Sequence, residues 1–495
     1  MQDGTSLAAI DLGSNSFRLE IGRIEHGQIV RTDYLKETVR QGGGLDAESC
    51  LSDEAMQRGW DCLARFAERV RGFDAQCVRA VATQTLREAR NRDEFLEPAH
   101  RVLGFPIEVI AGREEARLIY GGVTHLLPES DERRLVVDIG GRSTELIVGQ
   151  GYVPKKVESY PVGSVGLSQR FFGDGRFTDK AFGQAVLAAQ ALLEESLGFL
   201  GEKIWDKAYG SSGSIGAVAD ILVANSVGDG PITAAGLDWL QEQLLRAGHA
   251  DRVRLAGLKD DRRAVIGGGL SVLKAAFALF DLDEMQAARG ALRHGVLYEM
   301  LDRRTATRDV RERTVQRLQQ KFGADTEQAQ RVRDVALNLF AQVRVQDDRV
   351  ARDLARKLGW AADLHEIGMA VSHADYHRHG AYILEHSDGA GFAQHQLDRL
   401  GALLLGQRGG LRKLAAWLDD VSLCEQLLCL RIAVLLCHAR RDPQLDGMRL
   451  IRVGDGWRIE VSAAFAAAHP RSMLLLADEA AHWSRAGREL VVTAI

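Results

Sequence analysis

The chain has 495 residues, more than a single hydrophobic core organises, so several domains are expected. Hydrophobic residues make up 46% and charged residues 26%, the balance of a water-soluble globular protein, which excludes low-complexity and fibrous classes. The formal net charge of -5 excludes a generally basic nucleic-acid coat protein, while leaving room for a local positive lining that grips an anion.

Residues 7–24 (LAAIDLGSNSFRLEIGRI) predict a strand, a tight turn and an alternating strand. Ser52–Arg71 predicts a helix, with Ser52 as cap and Asp53 and Glu54 in a favourable first turn. CVRAVATQTLREA predicts a strand entering a helix, FPIEVIAG a strand, and REEARLIYGGV a helix start. Residues 135–149 (LVVDIGGRSTELIVG) repeat the first hairpin at an offset of 127 residues. Asp11 falls on Asp138, Gly13 on Gly140, Ser16 on Ser143, Leu19 on Leu146 and Gly22 on Gly149. Two similar α/β domains with turns facing a shared cleft are therefore expected. KIWDKAYG predicts a further strand, and GSSGSIG (210–216) and GGGL (267–270) predict Gly-rich turns before helices. Residues 312–445 carry apolar positions at helical spacing. MRLIRVGDGWRIEVSA predicts a hairpin and RELVVTAI a last strand, forming a small fourth domain or an edge addition.

The six cysteines show no paired framework; Cys424, Cys429 and Cys437 fall on an apolar helical stretch and are expected in a core rather than around zinc. The first residues lack a basic region followed by an apolar core, and the apolar stretch 265–280 is too short to span a bilayer. No signal peptide, no integral membrane segment and a cytoplasmic location are expected.

The chemistry concentrates at the repeated turns. In Asp11–Ser16 and Asp138–Thr144, small residues let successive backbone N–H groups point outward, and Ser14, Asn15, Ser16, Ser143 and Thr144 add side-chain donors. One such turn also serves an ordinary hairpin. Two of them, each beside an aspartate, suit a clamp on a phosphate chain. Asp11 and Asp138 suit Mg²⁺, and Glu145 is a possible further carboxylate.

The segments IDLGSNSFRL, TQTLREA, AGREEARLIYGGV, VVDIGGRSTELIVG, GSSGSI and RGALRHGVLYEML follow in this order. Together they resemble the exopolyphosphatase/guanosine pentaphosphate phosphatase family, within the superfamily of sugar kinases, actin and Hsp70. The resemblance implies an α/β fold of two actin-like ATPase (ribonuclease H-like) domains, 1–125 and 126–306. A helical HD-like domain, 307–445, and a small α+β domain, 446–495, follow. It implies that Glu115 activates water, and that Gly13, Ser14, Asn15, Ser16, Arg87, Gly140, Gly141, Arg142, Ser143, Thr144, Ser164 and Arg262 line the phosphate site. Mg²⁺ is the implied cofactor and a homodimer the implied assembly.

There are departures from the family pattern. Arg142 stands where Gly or Ala is usual, either adding a cation to the site or swinging away. Ser164 replaces a frequent Cys. The HD-like segment LHEIGMAVSHADYHRHGAYIL reads His365-Glu366 rather than His-Asp, which points to a degenerate domain. The basic stretch 303–321 is expected either to line a channel or to form a solvated helix face. The reading placed first is exopolyphosphatase, releasing orthophosphate from inorganic polyphosphate. The alternative is guanosine pentaphosphate 5′-phosphohydrolase, or both activities. An ATP-dependent kinase would need an adenosine pocket and an acceptor other than water, and a binding-only sensor would not need Glu115.

Overall fold

A computed structural model describes residues 4–25, 28–128, 130–200, 204–228, 230–302, 310–344, 348–387, 389–392 and 394–494. The chain forms two compact units, 1–309 and 310–495.

The first unit contains two sheets built on one plan. Strands β1 (Ser6–Leu12), β2 (Phe17–Glu25), β3 (Gln28–Glu37), β4 (Val78–Ala82) and β5 (Ile107–Val109) lie in the order β3-β2-β1-β4-β5. The second sheet uses β6 (Arg133–Ile139), β7 (Thr144–Gln150), β8 (Val153–Tyr160), β9 (Lys207–Ser211), β10 (Ile232–Thr233) and β11 (Glu284–Ala287). Its order is β10-β11-β9-β6-β7-β8. In each, an antiparallel meander is extended by two parallel strands from the first strand outward, and in the second sheet the short β10 adds antiparallel at the edge. The repeat seen in the hairpins thus extends to whole lobes. Both leading strands are buried almost throughout: past Ser6, β1 is apolar except at Asp11, and past Arg133 and Arg134, β6 is apolar except at Asp138.

Helix Asp53–Val70 forms as expected, its N-terminus capped by Ser52 Oγ accepting from Ala55 N at 3.3 Å. Helix Gly112–Thr124 packs closely on helix Leu292–Asp302. A Cβ at Gly122 would lie 2.2 Å from the Ala291 carbonyl oxygen and 2.6 Å from Gly295 N, so this contact demands glycine. The crossing fixes where the first turn of the 112–124 helix sits.

One expectation fails here. The Gly267–Gly269 triplet is not a turn before a helix. It lies inside helix Ile266–Leu279, buried against helix Ser164–Phe171, where a Cβ at Gly268 would meet the Ser164 carbonyl oxygen at 2.3 Å. These glycines permit close helix packing.

The second unit is helical, with a three-stranded sheet of β12 (Met448–Val453), β13 (Gly456–Val461) and β14 (Leu490–Ala494). Helix Pro470–Arg485, not foreseen in the sequence, precedes β14. Met448, Leu450, Trp457 and Ile459 join the same apolar cluster as Leu427, Leu428 and Trp360. The expected boundary near residue 445 therefore divides no core, and the sheet is an addition to the helical domain. Cys424, Cys429 and Cys437 are buried, with burial pushing their thiols up. Among the described residues no helix is long and apolar enough to cross a membrane.

Candidate active site

The β1–β2 and β6–β7 turns face each other at the carboxyl ends of their leading strands. They nearly touch: a Cβ on Gly141 would lie 3.0 Å from Ser14 Cβ and 3.5 Å from Asn15 N. Between them is a narrow cavity of about 80 Å³. It is lined by Asp11, Gly13 to Ser16 and Asp138, by Gly140, Gly141 and Ser143, and by Glu115, Ser164 and Arg262. Asn15 Nδ2 and Ser16 Oγ are buried with no hydrogen-bond partner. An unmet buried donor costs roughly 1–3 kcal/mol, so a ligand that accepts from both recovers that free energy. These donors and the outward-facing turn backbone suit the oxygens of a phosphoryl group.

Glu115 comes from the first turn of helix Gly112–Thr124 and is 7% exposed. Arg87 Nη1 donates to its Oε2 at 2.8 Å and also to the Ile110 carbonyl at 2.8 Å. Burial raises the Glu115 carboxyl well above the ordinary glutamate range; Arg87 opposes this, and the charges of Asp11 and Asp138 add to it. Its neighbour Glu114 turns the other way, accepting from Arg117 at 2.7 Å in a buried network with Glu299 and Arg79. One glutamate of the pair is structural and the other reaches the cavity.

Asp11 and Asp138 share that cavity. Burial pushes Asp138 up to about 6, while Arg18 Nη1 and Arg293 Nη1 stand 3.5 and 3.7 Å from Asp11 Oδ2. Arg293 is held by Glu20 at 3.2 Å, and His294 stands 3.1 Å from the same carboxylate. Arg262 packs over Gly213, where a Cβ would lie 2.1 Å from Nη2. Ser212, at φ 97°, opens helix Ser212–Ala224 and accepts from Ser214 N and Ile215 N. The GSSGSIG turn thus does reach the cavity, through Ser212, Gly213 and Ser214.

Four of the expected site residues lie elsewhere. Arg87 holds Glu115 and does not line the cavity. Arg142 swings away, to Glu88 and Gly42. Thr144 Oγ1 donates to the Val162 carbonyl at 2.6 Å. Glu145 is fully buried behind the wall, accepting from Ser159 Oγ at 2.8 Å and leaving Oε2 without a partner; burial and the neighbouring Glu115 raise it far above its ordinary range. Asp11, Asp138 and Glu145 do not form one ligand set: among the described residues no group of three or more His, Cys, Asp or Glu is placed to hold a metal ion. Two aspartates in a phosphate cavity do fit Mg²⁺, which commonly takes one or two carboxylates together with substrate phosphates and water.

Arg18 and Arg293 were not foreseen. Arg18 was findable, because it pairs with Asp11 across the β1–β2 ladder and so shares its face. In the second unit, His365 Nδ1 lies 2.7 Å from the Ala362 carbonyl and Glu366 accepts from Arg440. Of the basic stretch, Arg303, Arg304 and Arg308 lie outside the described residues, and Arg311 is buried over the Trp360 ring.

Residues 21–304 match the model of the Ppx/GppA phosphatase family, and residues 310–480 match that of Ppx/GppA phosphatase, domain III. The chain belongs to the Ppx/GppA phosphatase family. It is 39% identical over 488 residues to a Vibrio vulnificus protein named guanosine-5'-triphosphate,3'-diphosphate pyrophosphatase, covering 98% of this chain and 97% of that one. An Aliivibrio fischeri protein of the same name is 38% identical over 490 residues, covering 98% of each. Among solved structures, an exopolyphosphatase-like protein aligns at 25% identity and TM-score 0.55, over 60% of this chain and 98% of that one. The Aquifex aeolicus PPX-GPPA enzyme aligns at 27% identity and TM-score 0.50, over 59% and 99%. The family's actin-like fold and phosphatase chemistry agree with the two lobes, the paired turns and the buried carboxylate.

Proposed function

We propose that this chain hydrolyses the terminal 5′-phosphate of guanosine pentaphosphate, releasing orthophosphate and guanosine tetraphosphate. The observation that carries the proposal is the second cavity. The cavity between the two turns adjoins one of about 320 Å³, the two sharing Arg18, Ser212, Gly213, Arg262 and Ala291 in their walls. The larger space adds Tyr34, Lys36, Lys259, Arg289 and Arg293. A compact basic chamber with one aromatic ring suits a nucleotide carrying a second phosphate group. The full-length relatives with that substrate in their name support the same choice. Polyphosphate, placed first from the sequence, becomes the second reading, favoured by the solved exopolyphosphatase-like relative.

In the proposed reaction the terminal phosphoryl group sits between the two turns, accepting from Asn15, Ser16 and the backbone N–H groups. Water attacks phosphorus in line, the bond to the bridging oxygen breaks, and Glu115 takes the proton that water gives up. Arg87 holds the carboxylate at the angle this requires. Asp11 and Asp138 would hold Mg²⁺, which when bound neutralises charge on the phosphate oxygens.

The test is orthophosphate release from guanosine pentaphosphate and from long-chain polyphosphate, side by side with Mg²⁺. A kcat/KM at least about ten-fold higher on the nucleotide is expected, the outcome of one or two additional charged contacts. A preference for polyphosphate would overturn the proposal.

A further inference from the structure

Arg142 belongs by its backbone to the β6–β7 turn of the second lobe, yet its side chain crosses to the first. Nε donates to Glu88 Oε2 at 2.9 Å and Nη1 to the Gly42 carbonyl at 3.3 Å. The contact is tight: a Cβ at Gly42 would lie 3.0 Å from Arg142 Cδ. Beyond Glu88 the contacts continue without a break. Glu88 Oε1 accepts from Gln84 Nε2 at 2.6 Å. Gln84 Oε1 accepts from Arg87 Nη2 at 2.6 Å and Nε at 3.2 Å. Arg87 Nη1 then donates to Glu115 at 2.8 Å.

Each link permits one arrangement. A carboxylate only accepts and a guanidinium only donates, so Gln84, standing between Glu88 and Arg87, has its amide orientation dictated at both ends. Gln84, Arg87 and Glu88 all lie on the single short helix Gln84–Glu88, so a cation fixed to Glu88 steadies the other two. The chain of charge-assisted bonds starts on the β6–β7 turn and ends on Glu115, which lines the cavity.

We propose that Arg142 is a positioning residue for hydrolysis: by anchoring Glu88 across the cleft it orients Glu115 through Gln84 and Arg87. The inference rests on reading Glu115 as the group that activates water. It assigns a purpose to the one large side chain of the Gly140–Ser143 turn, without placing it on the substrate.

The Arg142–Glu88 pair is about a quarter exposed at each end. Pairs of this kind support effects of about two- to five-fold. Steady-state rates of Arg142→Ala, Glu88→Ala and the double variant are measured with whichever of guanosine pentaphosphate or polyphosphate the wild type turns over faster. Each single variant is expected to lower kcat about two- to five-fold with KM unchanged. The double variant is expected to lose no more than the worse single one, and Arg142→Lys, which keeps a donor toward Glu88, to recover part of the loss. Thermal midpoints are recorded for all four, so that a folding defect is seen separately from a rate effect.

A rise in KM confined to Arg142→Ala would put Arg142 on the substrate and overturn the proposal. So would a Glu88→Ala variant with wild-type kcat, or fully multiplicative losses in the double variant. Glu115→Gln run alongside keeps the two readings apart. Its retention of activity sinks the assignment of Glu115, whereas its inactivity combined with a neutral Glu88→Ala sinks only the role of Arg142.

Discussion

Replacing Glu115 with Gln removes the proposed proton acceptor and keeps its shape. The amide oxygen can still accept from Arg87 Nη1, now 2.8 Å from the carboxylate, so the guanidinium and the Gln84 contacts stay in place. Loss of one charged hydrogen bond, roughly 1.5–3 kcal/mol, is opposed by relief from burying a carboxylate. Folding stability should therefore change by less than about 2 kcal/mol. Turnover should fall by about 100- to 10,000-fold, the range for a positioned general base, or roughly 3–5.5 kcal/mol in barrier. KM should hold, because in the proposed reaction Glu115 acts on water and is not among the donors that grip phosphate. The assay is orthophosphate release at saturating guanosine pentaphosphate with Mg²⁺, with a denaturant melt to confirm folding. A folded Glu115→Gln enzyme within ten-fold of wild-type kcat would refute the reasoning, since Asp11 or Asp138 would then have to be taking the proton.

Four further outcomes are expected. Burial pushes Glu115 up to about 7, and in the proposed reaction it must be ionised to take the proton, so kcat/KM should fall as pH drops through the neutral-to-mildly-acid range. Arg87 holds Glu115 down, so Arg87→Ala should move that acid limb to higher pH; a limb that stays put in a folded variant counts against the pair. Arg262, buried between the two cavities, should matter for binding: Arg262→Ala is expected to raise KM for the nucleotide about ten-fold or more, and an unchanged KM removes Arg262 from the substrate. In the second unit, Arg431 and Glu479 form a buried ion pair that also takes Trp483 Nε1. Arg431→Met leaves Glu479 charged and unmatched and should cost roughly 3–5 kcal/mol, read from the denaturant midpoint of that unit; a shift under about 1 kcal/mol would show the pair to be dispensable.

Much of this protein was legible before any coordinates. The duplicated lobes showed in two hairpins whose Asp, Gly and Ser positions coincide, because strand alternation and turn chemistry are written over a few neighbouring residues. The helix at Ser52, the buried cysteines and the donor turns are local in the same sense. Glu115 was legible only through its resemblance to a family motif; as a glutamate in a helical first turn it is chemically identical to Glu114, and packing alone sends one to the cavity and the other to Arg117. The chamber behind the proposed substrate preference was likewise not legible, since Arg18, Tyr34, Lys36 and Arg293 line one cavity only in the folded chain. Arg142 and Glu88 are 54 residues apart and Arg293 and Glu20 are 273 apart. Nothing in the neighbouring sequence states that such groups meet. Local geometry is set by backbone sterics and short-range hydrogen bonds, which a sequence exposes directly. The direction of a long charged side chain is set by whichever distant carboxylate or carbonyl the fold brings within 3 Å or so, and only the tertiary structure decides that.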